Sequence, residues 1–294
     1  MYRLFPLFIS FFSVSRMNTS RNCSLKLLAT VILIVLISKC ECTIVEEDLK
    51  ITQSQKETLD KFRARMSPIV PHAYMRDNIY LIRWLRAKNF NLKDAELFLR
   101  ENLKWRKSTG MDKIHSEDYS KAVLEFPIYV DAVDKNGAPV ITCLLGVHDI
   151  RQAHLTGRAP MFLRFVDKIM DEAEMKVRNA QLEGKNVTRF QFVINLDGFN
   201  LVQHGCPNCV VGTLSFLSSY ENHFPWLTDK IVIINAPPNI QAILQALRSA
   251  ITDRTRRQIK IFGTDKNEWQ KYLLSFIDKD QLTEDFGGTL VRHN

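Results

Sequence analysis

Few side chains in this chain have the types and spacing to do chemistry. His204, Cys206 and Cys209 offer metal- or redox-competent donors, the cysteines in Cys-x-x-Cys spacing. With no second pair nearby in sequence, this group reads first as the ordinary start of a helix opened by Pro207, and only second as a site. His148-Asp149 offers a general base and an orienting carboxylate, but neighbours on a strand point to opposite faces, so it reads as a surface pair. Asp197 follows an apolar strand, where an α/β enzyme places a catalytic acid, and a cap for the following turn explains it as well. Arg254, Arg256, Arg257 and Lys260 crowd one short segment, which suits an anionic surface.

Other chemistry is missing. No Gly-rich phosphate loop follows a strand, and the chain has neither a Gly-x-Ser-x-Gly elbow nor a His-Glu-x-x-His helix. The expectation is a protein that is not an enzyme, with no catalytic residues, no metal and no cofactor. An enzyme working through Asp197 or the Cys206/Cys209 pair is the alternative, to be tested by chelation and Cys→Ser exchange.

The elements that must position these residues are organised around 230–262. Ile231, Val232, Ile233 and Ile234 form a β-branched run suited to a strand covered on both faces. Pro237 and Pro238 stop it and open a helix over 239–251, with Ile240, Ile243, Leu244, Leu247 and Ile251 at helical spacing. A basic turn and a second strand follow. An apolar helix joined to a basic hinge reads either as a core helix or as a lid that opens at an anionic surface.

Upstream, 46–65 reads as one peripheral helix. A denser helix runs from Asp77 to Lys88, and a third is capped by Asn91 and ended by Gly110. From Phe126 the period changes. A hairpin turns at Asn136-Gly137, a long helix spans 160–182, a strand covers 190–196 and a helix starts at Pro207. Strands alternating with helices predict an α/β layer with mostly parallel strands.

At 294 residues, 46% hydrophobic and 24% charged, the chain can bury one large domain with a helical extension. No Lys/Arg block interleaves with aromatics, which excludes nucleic acid as the expected partner. The net charge is +8, and five basic residues against Glu41 place half of it in 1–42. Within that leader, Arg21 and Lys26 precede an apolar run over 27–37 and small residues at Cys40 and Cys42. This pattern is similar to a secretory signal or an uncut signal-anchor. An upstream start before a cytosolic body beginning near Thr43 is the other reading. Localisation is accordingly membrane-associated or secretory if the leader is real, and cytoplasmic otherwise. Cys143, Cys206 and Cys209 are too sparse for a disulfide framework, and Asn186-Val187-Thr188 is a glycosylation sequon only in a secretory setting.

The run from Asp77 to Phe90, with Trp105-Arg106-Lys107, resembles the helical lobe of Sec14-like, CRAL-TRIO lipid-binding proteins. The resemblance continues through Asp134-Lys135-Asn136-Gly137, Asp197-Gly198, Ile233-Ile234-Asn235-Ala236-Pro237, Ile259-Lys260-Ile261-Phe262-Gly263 and Phe286-Gly287-Gly288-Thr289. It implies a helical lobe over 46–115, then a lipid-binding α/β domain over 120–290. There a mostly parallel sheet with helices encloses an apolar lipid cavity, and 239–251 is the gate. The expected ligand-binding residues are Phe192, Ile194, Phe216, Ile233, Ile243, Leu244, Leu247 and Ile251. Arg254, Arg256 and Arg257 are the membrane-docking set.

The partners so implied are a hydrophobic lipid and a membrane surface, for a monomer that binds and transfers its ligand. A regulatory interaction module on the same fold is the alternative. The family's phosphoinositide head-group positions transfer badly. Lys88 and Thr255 match, whereas Asn89, Trp226 and Gln258 stand where basic, acidic and basic residues are expected. The expected head group is therefore not inositol phosphate. No C-terminal GOLD domain is expected after Asn294.

Overall fold

The computed structural model describes residues 44–238 and 240–292. The leader at 1–42 and Asn239 lie outside the described residues. Helices α1 (Ile44–Leu49), α2 (Gln53–Met66), α3 (Asn78–Ala87) and α4 (Leu92–Ser108) make a lobe around Phe62, Trp84, Leu85, Phe98 and Leu99. The single peripheral helix expected over 46–65 is two. Thr52 accepts the Gln55 N–H while the Gln55 side chain accepts the Thr52 N–H, a capping box that restarts the chain as α2. Nor is α1 peripheral, because Asp48 is buried and takes Arg86 Nη1 at 3.1 Å, together with Arg189 and Thr188. Asn91 caps α4 as expected, accepting the Asp94 N–H at 3.2 Å.

Helix α5 (Ser120–Glu125) leads into the hairpin β1 (Ile128–Val133) and β2 (Pro139–Leu144). Asp134 holds the turn by accepting the N–H groups of Asn136 and Ala138, and Gly137 supplies the positive φ of +82°. The sheet order is β1-β2-β3-β4-β5, antiparallel in the hairpin and parallel elsewhere, with β3 (Phe190–Asn195), β4 (Thr228–Ile234) and β5 (Ile259–Ile261). A parallel pair needs a long crossover. These are supplied by α6 (Ile150–Leu155) and α7 (Ala159–Leu182), by α8 (Leu201–His204) and α9 (Pro207–His223), and by α10 (Ile240–Leu247) and α11 (Asp253–Gln258). Helix α12 (Lys266–Phe276) follows.

Side-chain alternation gives the sheet two unlike faces. Val140, Val193, Val232 and Ile234 pack beneath Trp269, Leu273 and Phe286, all nearly or wholly buried. The opposite parity, Ile141, Cys143, Phe192, Ile194 and Ile233, faces α7, α9 and α10. In β1 a register shift between Tyr129 and Ala132 moves Ala132 to the first face, while Ile128 and Val130 remain on the second.

Helix α10 is shorter than expected. It ends at Leu247, a 3₁₀ turn covers Arg248–Ala250, and Ile251 is extended at φ −121°, ψ 143°. The basic turn is itself helical, because Thr252 accepts the Thr255 N–H and starts α11.

Candidate ligand-binding site

Helix α9 shows where the interior is left incomplete. Its 17 residues are largely apolar or small, yet only Cys209 and Tyr220 are buried. Opposite it on the central strand β3, Phe192 and Ile194 are only partly buried, although Val193 between them is fully covered. A central strand with one sealed face and one accessible apolar face is what a cavity floor requires. Phe192, Ile194 and Phe216 pack against the α7–α9 cluster with Phe162, while Ile233, Ile243 and Leu244 belong to the cluster under α10. Leu145 and Ile194 belong to both, joining the α7–α9 cluster to the one under α10. Leu247 and Ile251 are partly buried and lie in neither cluster.

The two surviving head-group positions are not joined by any contact among the described residues. Lys88 ends α3 with its ammonium 3.8 Å from the Phe98 ring centre, and Thr255 is buried with its hydroxyl 3.2 Å from that of Thr252. Two of the residues that depart from the expected head-group set, Trp226 and Gln258, are engaged with neighbouring protein groups. Trp226 adopts φ +62°, with Arg254 4.1 Å and Arg86 5.3 Å from its ring centre. Arg254 donates to Gln258 Oε1 at 3.1 Å and to the Thr228 carbonyl at 3.3 Å, and Gln258 donates to the same carbonyl. Burial, with Arg189 nearby, draws the Arg254 pKa down to about 10. Arg256 pairs with Asp253, which leaves Arg257 as the exposed member of the docking set.

The remaining chemistry-bearing residues are placed differently from their sequence reading. His148 is not on the surface. It is 1% exposed between the edges of Phe126 and Phe162, neither ring nitrogen has a partner at hydrogen-bond geometry, and burial pushes its pKa down to about 4. Asp149 separates from it to cap α6, accepting the Gln152 N–H at 2.9 Å. Asp197 is exposed in its turn, where Gly146 passes so close to its carbonyl that a Cβ would stand 1.7 Å away. Cys206 and Cys209 form a disulfide, so the segment is more than the plain helix start it first reads as, while Cys143 stays a free thiol. With both sulfurs joined and the His204 ring spanning from the Leu145 carbonyl to the Asn200 backbone, these residues make no metal triad.

The sequence reading missed a buried polar network at the ends of β3 and β4. Asn195 accepts from Asn235 and from the Asp197 N–H, and Asn235 accepts from Trp269 Nε1 at 3.1 Å. The only local signal was two asparagines at strand ends, where that residue readily adopts positive φ, as Asn235 does at +54°.

A pocket of about 320 Å³ lies elsewhere, between the lobe and α7, lined by Tyr74, Tyr80, Arg83, Glu174 and Arg178 among others. It contains none of the expected lining residues. Arg83 and Glu174 pair there at 2.8 Å with both side chains nearly buried. Hydrocarbon in that space would remove the ion pair's remaining solvation, which counts against an acyl chain there, although Ile79, Val177, Leu182 and Leu227 also line it.

The description CRAL/TRIO domain matches residues 125–288. Curated relatives include Protein real-time of Anopheles gambiae, 26% identical over 244 residues, and Protein real-time of Aedes aegypti, 24% identical over 241. These alignments cover 82% and 81% of this chain but 36% and 37% of the mosquito proteins, so the chain spans little more than a third of their length. Protein ctg-1 of Caenorhabditis elegans is 22% identical, over 82% of this chain and 62% of that protein. The crystal structure of Sfh5 superposes with a TM-score of 0.65 at 15% identity, covering 83% of this chain and 91% of that one.

Proposed function

The chain belongs to the CRAL/TRIO family, and from that premise we propose that it carries one hydrophobic ligand between the Phe192/Ile194 face of its sheet and the gate α10, exchanging it at a membrane. CRAL/TRIO proteins are generally ligand-binding proteins, which supports a lipophilic ligand and a binding role here. We take 46–115 as the helical lobe and 120–290 as the ligand domain. The observation that carries the reading is the contrast on β3, where Val193 is sealed while Phe192 and Ile194 on the other parity are left accessible.

The energetics suit a carrier. Each buried methylene contributes roughly 0.8 kcal/mol, so an acyl chain leaving a bilayer needs on the order of 10 kcal/mol of apolar compensation. On this reading the partly open apolar side chains of Phe192, Ile194, Phe216, Ile243 and Leu244 provide that surface once α10 moves away. Each basic residue near an anionic membrane adds about 1 kcal/mol. With Arg254 turned onto Trp226, Arg256 paired to Asp253 and Lys260 over the Tyr272 ring at 3.9 Å, the docking charge falls chiefly to the exposed Arg257. Docking by so few charges is transient. No described helix is long and apolar enough to cross a membrane. Native mass spectrometry after gentle purification tests the reading: a lipid adduct is expected, and a protein that emerges empty and takes up no lipid from vesicles would sink it.

Asn89, Trp226 and Gln258, standing where the family's head-group residues are expected, favour a second reading, a regulatory module that keeps the fold without transferring lipid. Under that reading, Leu244→Arg and Ile251→Arg leave the cellular function intact.

A further inference from the structure

The Cys-Pro-Asn-Cys segment follows Gly205, which lies against Ile243 of the gate, and its two sulfurs are not equivalent. Cys206 is partly exposed at the N-cap of α9, where its Sγ lies 3.2 Å from the Cys209 N–H. The helix it caps is 17 residues long, so unpaired N–H groups and the positive end of the dipole stabilise negative charge on that sulfur. Cys209 is fully buried, with its Sγ 3.3 Å from the Gln203 carbonyl. While the disulfide is closed this sulfur carries no proton and the contact is not a hydrogen bond. Opened, it becomes a thiol that donates to the same oxygen, so the fold accommodates the dithiol as well as the disulfide.

Gly205, next to Cys206, carries the coupling to the gate. A Cβ there would lie 3.3 Å from Ile243 Cδ1 and 3.0 Å from the Leu201 carbonyl, so the gate side chain Ile243 rests directly on this backbone. The disulfide fixes Cys206, the residue after Gly205, to Cys209 in the first turn of α9, so it restrains the backbone on which Ile243 rests.

We propose that Cys206–Cys209 is a thiol-exchange site, served by a small-molecule thiol of the glutathione class, whose reduction loosens the seat of Ile243 and with it the gate. A thiolate attacks the accessible Cys206 Sγ, forming a mixed disulfide and expelling the Cys209 thiolate, which takes a proton. A second thiolate then attacks the small-molecule sulfur, releasing its disulfide and leaving Cys206 as a thiolate. Two thiols are oxidised and one protein disulfide is reduced. The proposal rests on reading α10 as the gate.

The test uses the full chain equilibrated across a series of reduced to oxidised glutathione, quenched, and read by peptide-resolved alkylation and by hydrogen exchange. Cys206 and Cys209 are expected to become alkylated together in one transition, while Cys143, whose thiol burial pushes far above its usual range, stays unreacted in the native protein. Amides in Ile240–Leu247 are expected to exchange severalfold faster in the reduced protein, with β3 and β4 unchanged. Cys206→Ser/Cys209→Ser is expected to match the reduced protein in every buffer. The wild-type comparison alone decides the matter if that variant does not fold. Two free thiols under oxidising glutathione, or equal exchange of Ile240–Leu247 in the two states, overturns the proposal. Because neither readout uses lipid, failure to load a fluorescent phosphatidylcholine in both states counts against the carrier reading and leaves the switch separately tested.

Discussion

The Arg254 guanidinium lies 4.1 Å from the centre of the Trp226 ring, and among the described residues no carboxylate pairs with it. Its charge is met by an aromatic face, a backbone carbonyl and a side-chain amide. The arrangement clamps α11 to the loop before β4 and to the start of that strand, and so fixes the segment that follows α10.

Arg254→Ala removes the clamp. A desolvated cation–π contact contributes on the order of 1–2 kcal/mol, and the hydrogen bonds to Gln258 and Thr228 are lost with it. Urea denaturation is expected to show a loss of about 2 kcal/mol. Arg257→Ala, at an exposed position, should stay within about 0.5 kcal/mol of wild type. Equal effects at the two positions would mean that the stacking carries no stability.

Ile194→Arg places a charge in the middle of the accessible apolar floor, and Leu244→Arg does the same from the gate side. Both sites are partly open, so each guanidinium can reach solvent and the fold survives. Lipid uptake is expected to fall at least about tenfold, since an unpaired charge opposite a hydrocarbon chain costs several kcal/mol. Uptake of a fluorescent phospholipid from vesicles, with circular dichroism as the control for folding, measures this.

Glu174→Ala strips the shared carboxylate from Arg83 at 2.8 Å and Arg178 at 3.5 Å. Breaking a buried pair by deleting one partner costs about 3–5 kcal/mol. Arg83→Met/Glu174→Leu, which removes both charges, should recover most of that. Lipid uptake by the double variant should match wild type if the nearby pocket is not the ligand site.

Stability is expected to fall as the pH drops from about 6.5 toward 4. His148 and His223 are each held down to about 4, His148 by burial and His223 by burial with the Arg106 charge beside it. A depressed histidine contributes stability that is present above its unfolded pKa near 6.5 and is lost as pH falls through its folded value. Asp167, raised to about 6 by burial, works the other way: its contribution is present below the ordinary carboxylate pKa and is lost as pH rises through about 6. Two histidines against one carboxylate leave a net loss on acidification. His148→Gln should flatten the fall, by up to about 1.4 kcal/mol for each pKa unit removed, as read from urea midpoints between pH 4 and 7. An unchanged slope would show that His148 is not held neutral.

Features governed by near neighbours were legible in the sequence. The Asn91 cap, the Asn136-Gly137 turn, the long helix α7 and the β-branched run of β4 each depend on interactions spanning a few residues, so a short window of side chains contains their causes. Reading 46–65 as one helix failed even at that range. The capping box of Thr52 and Gln55 was present in the letters but was outweighed by the surrounding helical tendency.

Other features depend on which distant segments cross. Asp48 meets Arg189 across 141 residues, and Asn195 meets Asn235 across 40. Burial of His148 was illegible because it depends on Phe126 and Phe162 closing over it from other elements. The sequence by itself determined the alternating strands and helices, the two parities of each strand and the family, because periodicity and turn chemistry are local properties. Only the tertiary structure decided which parity of β3 is sealed and which is left partly open, that Arg254 turns onto Trp226 instead of outward, and that Cys206 closes on Cys209 at the start of α9. Those outcomes follow from solvent exclusion and charge pairing between segments far apart in sequence, which acquire an energy only once the sheet has brought them together.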